Sequence, residues 1–241
     1  MSLISRKLIG FLAATSILGT ISLRAVTMVS VQQTDVGANE IVYVSSSGAA
    51  FVGFSWEVYA GVLKLDVNGV PTDGFCIDPW HWAASGLLTY NVESLASAPK
   101  SATDDSTLNP MGAAAAKQIE QLWAKYYSPG IDNVTAAAMQ IKIWEIVDKA
   151  VTNGTFSLDY IGDGSDPTAD GVLAVQVNTA LSQMDSFLST FPGAPTAHLE
   201  ALTNSLGQDY VVSVPETGAT AVLLGVAFAG LCVSRRRLQI R

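Results

Sequence analysis

Tyr59-Ala60-Gly61-Val62-Leu63-Lys64-Leu65-Asp66-Val67, then Asn68-Gly69, then Val70 onward to Gly74-Phe75-Cys76-Ile77, is the stretch on which the fold reading turns. Tyr59, Leu63, Leu65 and Val67 alternate with Ala60, Val62, Lys64 and Asp66, the period of two expected of a half-buried strand. Asn68 and Gly69 both tolerate positive φ, so they read as the tight turn of a hairpin. The return strand places Cys76 on or just after a strand. Two further strands, rich in Val, Tyr, Phe and Trp, are read upstream at 41–44 and 51–56, and a closing strand at 210–214.

Downstream the period changes. Asn109-Pro110 reads as an N-cap followed by a first-turn proline. Ile119, Leu122, Trp123 and Tyr126 then recur at helical spacing, and Ser128-Pro129-Gly130 ends that helix. A second helix begins near Asn133 with Ala136, Gln140, Ile143, Trp144 and Val147 on one stripe. A loop of Asp163, Gly164, Ser165, Asp166 and Pro167 precedes a third, whose stripe is Leu173, Val177, Leu181, Met184 and Leu188. Strands, then helices, then a strand imply an α+β domain. Its β-rich lobe is built of hairpins, as a sandwich or barrel-like, and carries an inserted helical lobe.

Both ends of the chain read as addresses rather than as fold. Arg6 and Lys7 precede an apolar run, as in a secretory signal peptide spanning 1–25, with cleavage after Ala25. At the other end Val214-Pro215-Glu216-Thr217-Gly218 leads into an apolar run, residues 219–234, and then Arg235-Arg236-Arg237. The apolar run is at the short end of the ~17–25 residues that span a bilayer. The arginines hold it with its motif on the outer side. This segment, 214–241, resembles the C-terminal sorting signals of bacterial surface proteins, most closely the VPDSG-like variant of the PEP-CTERM class handled by exosortases. Glu216 and Thr217 depart from that variant's Asp and Ser, towards LPxTG-type sortase signals, in which Leu would replace Val214. The short span ending in arginines favours the exosortase-type partner. An uncleaved membrane anchor is the other reading.

What remains, 26–213, has the length of one exported domain. Every arginine lies in the two terminal segments, so this middle holds six lysines against twenty acidic residues, a balance of −14. Such a surface repels nucleic acid and anionic lipid. Of the two cysteines, Cys232 lies in the C-terminal apolar run and Cys76 is alone in the domain, so no disulfide forms within it. A lone thiol in an exported domain is an intermolecular partner, a reactive nucleophile or a buried bystander.

Gln140 is the anomaly among the helices, because it lies on the apolar stripe between Ala136 and Trp144. A buried amide without partners costs about 1–3 kcal/mol. Backbone groups of the sheet are one way to satisfy it, and Cys76 is another. A cysteine sulfur that attacks a glutamine carboxamide expels ammonia and leaves an internal thioester, an electrophile that surface amines or hydroxyls can open.

Phe75-Cys76-Ile77-Asp78 and Ala138-Met139-Gln140-Ile141-Lys142-Ile143-Trp144-Glu145-Ile146 resemble the two signature segments of bacterial thioester domains, which are adhesin modules. The resemblance covers 58–147. It implies a Cys76–Gln140 thioester, a helical lobe on a β-rich lobe, and covalent capture of a ligand nucleophile. Lys142 stands where the family often has Ala, and is expected on the exposed side of its helix. Many PEP-CTERM proteins carry a similar Gln-x-x-Ile-Trp-Glu-Ile helix, so the segment also fits a surface domain with no reactive bond. Trp80 and Trp82 are candidates for shielding the thioester and His81 for proton transfer. Ordinary loop packing is the alternative for all three.

Other signals are weaker. Asp159, Asp163, Asp166 and Asp170 read as a cluster in a Gly-rich loop that offers oxygen ligands to Ca²⁺, with Asp163 and Asp166 the weak candidates, without EF-hand spacing. His81 and His198 are the only histidines, no other metal cluster is legible, and no cofactor is called for. No Gly-x-Ser-x-Gly elbow accompanies the serines, and the chain is read as a non-enzyme. The expectation is an exported surface or extracellular-matrix protein that adheres to a surface or matrix ligand through a thioester. A non-covalent structural protein with the same address is the competing class.

Overall fold

The computed structural model describes residues 27–46, 54–99, 109–154, 156–162 and 164–214. The signal peptide, Pro215–Arg241 of the sorting signal, and Asp163 lie outside them. No helix among the described residues is long and apolar enough to cross a membrane.

The hairpin read from the sequence is present. Strand β2 (Phe54–Val67) and strand β3 (Val70–Cys76) pair antiparallel, with Val67 opposite Val70. Asn68 (φ 54°) and Gly69 (φ 82°) form the turn, and Asp66 Oδ1 accepts from Gly69 N at 2.6 Å. The sheet is larger than the sequence pattern suggests. Strand β1 (Thr27–Ser46) runs 20 residues and pairs with β2 along most of its length. The remaining strands are β4 (Leu88–Ser94), β5 (Phe156–Ile161), β6 (Leu199–Thr203) and β7 (Tyr210–Ser213).

Hydrogen bonding runs in the order β2-β3-β7-β6-β4-β1-β5, and β1 also pairs with β2. Six antiparallel strands therefore close on themselves, the barrel-like form of the expected β-rich lobe. Strand β5 lies beside the far end of β1, at Val42–Ser46, while β4 uses Thr27–Val31 on the near end. Closure leaves few open strand edges, which are templates for unwanted pairing.

Among the described residues three α-helices are inserted in this sheet: α1 (Gly112–Tyr126), α2 (Asn133–Thr152) and α3 (Pro167–Thr190). Helix α2 starts where the sequence places it, because Asp132 caps it by accepting from Thr135 N at 2.9 Å. Asn153 in the left-handed region ends it. Helix α1 starts later than the Asn109-Pro110 reading. Met111 N donates to Ala98 O at 2.8 Å, and Gly112 sits at φ 77°, so regular turns begin only beyond it.

The burial of α2 also differs from a one-sided stripe. It packs on β1, β2, β3 and β5 on one side and on α1 and α3 on the other. Residues 136–144 are all buried, as in a helix enclosed by its protein. Lys142, expected on the exposed side, is 5% exposed. Its ammonium bonds to Glu145, and to Asp185 of α3 at 2.8 Å. Burial opposes the charge, yet the two carboxylates outweigh it and hold the lysine pKa above its ordinary value. Tyr59 departs in the opposite sense: it is 57% exposed, although the alternation placed it with Leu63 and Leu65. A bulge in β1 between Val36 and Asn39 breaks the regular register with β2 just there.

Gly61 (φ 156°) fits into that bulge. A Cβ on it would lie 2.2 Å from the Ala38 carbonyl oxygen and 2.6 Å from Asn39 Cα, both backbone atoms. Gly61→Ala should therefore lower the unfolding free energy by about 1–3 kcal/mol, as overpacking does. Urea denaturation followed by tryptophan fluorescence measures it, and an unchanged midpoint contradicts this account of the bulge.

Candidate functional site

Cys76 is the last residue of β3. Its neighbour Phe75 points its ring edge-on at Trp123 of α1, 5.4 Å between centroids, which locks the strand end against the helical layer. Cys76 faces Tyr210 across β7, and Ile77 N donates to Asp209 O at 3.0 Å. On its other side β2 pairs with β3 only as far as Leu63 opposite Gly74. The backbone of Cys76 would be left open there.

The side chain of Gln140 fills that opening. Cys76 N donates to Gln140 Oε1 at 2.9 Å, and Gln140 Nε2 donates to Cys76 O at 2.8 Å. The carboxamide thus bonds as one more peptide of the sheet would. Both residues are almost wholly buried, at 2% and 1% exposed. The sequence reading offered two partners for this amide, sheet backbone or Cys76; the two options meet in one residue.

The thiol sits in a dry setting. Burial raises its pKa well above the ordinary thiol value, and the Trp144 indole N–H on its flank opposes that rise. The nearby Asp78 and Asp209 carboxylates raise it further. Asp78 N approaches the sulfur at 3.3 Å, a normal distance for an N–H donated to sulfur. Such a thiol stays protonated at neutral pH and is a poor target for soluble oxidants or alkylating agents.

Asp78, 1% exposed, also holds the following loop. Its Oδ2 lies 2.7 Å from His81 Nδ1, and Oδ1 accepts from Trp80 N at 3.3 Å. The hydrogen bond from His81 to Asp78 raises the histidine pKa above 6.5, against an opposing desolvation. With Nδ1 donating to the carboxylate, Nε2 carries the lone pair. That atom is buried and has no hydrogen-bond partner.

Cys76, Gln140, Trp80, His81 and Trp82 all line one cavity of about 240 Å³. All five residues singled out for the thioester and its surroundings are therefore brought together. Val58, Tyr59 and Leu63 of β2, Trp144 of α2 and Gln208 of the β6–β7 loop complete much of its wall. Gln208 N donates to Trp82 O at 3.1 Å and pins the tryptophan loop.

Sequence reasoning assigned no role to Asp78, Trp144 or Tyr59. Trp144 was within reach of it, one helical turn beyond Gln140 on the same stripe. The Asp78–His81 pair depends on a loop conformation that no local pattern encodes.

The other candidates fall elsewhere. Asp166 caps α3, accepting from Thr168 N at 3.0 Å and Ala169 N at 3.2 Å, and Asp170 accepts from Gly164 N at 3.1 Å. Asp159 lies on β5 rather than in a loop. No group of three or more His, Cys, Asp or Glu suited to a metal ion occurs among the described residues. Val214 follows β7 and donates to His198 O at 3.1 Å. The rest of the sorting motif, Pro215, Glu216, Thr217 and Gly218, and the stop-transfer Arg235, Arg236 and Arg237 lie outside the described residues. No protein-family model, curated protein or solved structure matches this chain.

Two predictions follow from this geometry. Gln140→Met keeps the helix but leaves two buried backbone groups of Cys76 without partners, at about 1–3 kcal/mol each. Urea denaturation should show a loss of that order, and a variant as stable as the parent contradicts the pairing. The raised His81 pKa adds stability that is full below 6.5 and is lost as pH rises through the higher folded-state value. The stability gap between the parent and His81→Gln should therefore shrink as pH rises through that window. A constant gap excludes the ion pair with Asp78.

Proposed function

We propose that this chain is an exported surface protein whose domain holds a ligand covalently through a thioester between Cys76 and Gln140. The observation that carries the reading is the Gln140 carboxamide held against the backbone of Cys76, the residue bearing the domain's lone thiol. In the reaction the sulfur bonds to Gln140 Cδ, the C–N bond breaks, and the nitrogen leaves as ammonia with the thiol proton. The carbonyl oxygen, Oε1, already accepts from Cys76 N, so the same N–H stabilises the charge that develops on it in the tetrahedral intermediate. The cavity walls of Trp80 and Trp144 limit hydrolysis by keeping water from the bond. A ligand nucleophile then takes the glutamyl group and returns the thiol.

The terminal segments supply the address in this proposal. The signal peptide exports the chain, and the Val214–Gly218 motif with its apolar run and arginines presents it to an exosortase-type or sortase-type enzyme at the membrane. Adhesion to a cell surface or to extracellular matrix is the role that joins address and chemistry.

One observation favours the competing class. The Gln140 amide makes two good hydrogen bonds without any reaction, which suits a non-covalent structural or matrix protein. The intact mass of the purified protein separates the two. The thioester leaves it lighter by one ammonia, and methylamine restores mass by adding to Gln140, whereas Cys76→Ala abolishes both. A full-mass protein whose thiol titrates only after denaturation would refute the covalent proposal.

A further inference from the structure

We propose that the nucleophile captured at this site is a carbohydrate hydroxyl, deprotonated by His81 Nε2 as it attacks the Gln140 acyl group. This rests on the thioester reading and names its ligand class.

A neutral primary amine attacks a thioester without help, because it is nucleophilic as it stands. A hydroxyl is a poor nucleophile until its proton is taken by a nearby base. His81 is the group at this site that can serve as that base. Asp78, itself buried, fixes the ring through the 2.7 Å contact to Nδ1, Nε2 is buried and unpartnered, and His81 lines the cavity that holds Cys76 and Gln140. A hydroxyl depends on such a base more than a neutral amine does.

The rim of the cavity suits a sugar. Tyr59 and Trp82, both large aromatics that line this cavity, are 57% and 61% exposed. Gln33, Gln208 and Glu57 line the same space. Aromatic faces stack on the C–H faces of a sugar ring, and planar amide and carboxylate groups bond its hydroxyls. Among the described residues the same rim holds no lysine or arginine to recruit an acidic ligand.

The step balances. The hydroxyl oxygen bonds to Gln140 Cδ, the C–S bond breaks, and the proton passes through His81 Nε2 to the leaving Cys76 sulfur. The products are a glutamyl ester of the sugar and the free thiol. Besides Asp78, the charged groups near His81 among the described residues are Asp209 and Glu57, which lines the same cavity. Asp78 and Asp209 favour the imidazolium that forms mid-reaction.

The test is competition on the intact protein among methylamine, maltotriose and N-acetylserinamide, read by adduct mass. Maltotriose should add to Gln140 in a bond that hydroxylamine cleaves, and in preference to N-acetylserinamide. His81→Gln and Trp82→Ala should each lower the ratio of maltotriose to methylamine adduct at least severalfold. Loss of that ratio is not a folding defect while the ammonia deficit persists. A protein with the deficit that takes methylamine but no maltotriose overturns this inference alone. One that prefers the serine hydroxyl overturns the sugar class, and one without the deficit overturns the thioester itself.

Discussion

Two hydrogen bonds join the middle of a buried helix to the end of a strand 64 residues earlier, and the rest of the domain is arranged around them. A strand whose neighbour departs leaves backbone N–H and C=O groups exposed to a dry interior, and these must be paired. Strand β2 leaves β3 after Leu63 and Gly74. The Gln140 carboxamide stands in for the missing peptide at Cys76. That requirement puts a polar side chain on an apolar helix, sets the rotation of α2 over the barrel, and brings Trp144 to the sulfur.

The departure of β2 also makes the cavity. Where the two strands separate, Val58, Tyr59 and Leu63 stand on one side and Cys76 on the other, with α2 and the Trp80–Trp82 loop filling part of the gap. The bulge in β1 that admits Gly61 lies on the same part of β2. Structural accommodation and candidate chemistry thus share one cause. The ion pairs of Lys142 serve the opposite face of α2, tying it to α3.

Legibility in the sequence followed the locality of each signal. The β2–β3 hairpin, the start of α2 and the stripe of α3 were readable, because an Asn-Gly turn, an aspartate cap and a 3.6-residue period act over a few residues. Strands β4, β5 and β6 were not read, since each is short and held by partners distant in sequence. Lys142 was misplaced because the reading assumed a one-sided helix, whereas α2 is enclosed on both sides by sheet and helices. Cys76 and Gln140 were paired from their types and setting, but the form of the contact, amide to backbone, required the strand end to be seen. Asp78 stands two residues after Cys76, but its pairing with His81 depends on a loop conformation that no local pattern encodes.

A crystal structure of the exported protein at high resolution is the most direct test. The account predicts continuous density from Cys76 Sγ to Gln140 Cδ, with Nε2 gone and Oε1 still accepting from Cys76 N. An intact carboxamide making both hydrogen bonds beside a free thiol, in protein never exposed to amines or reductants, would contradict it.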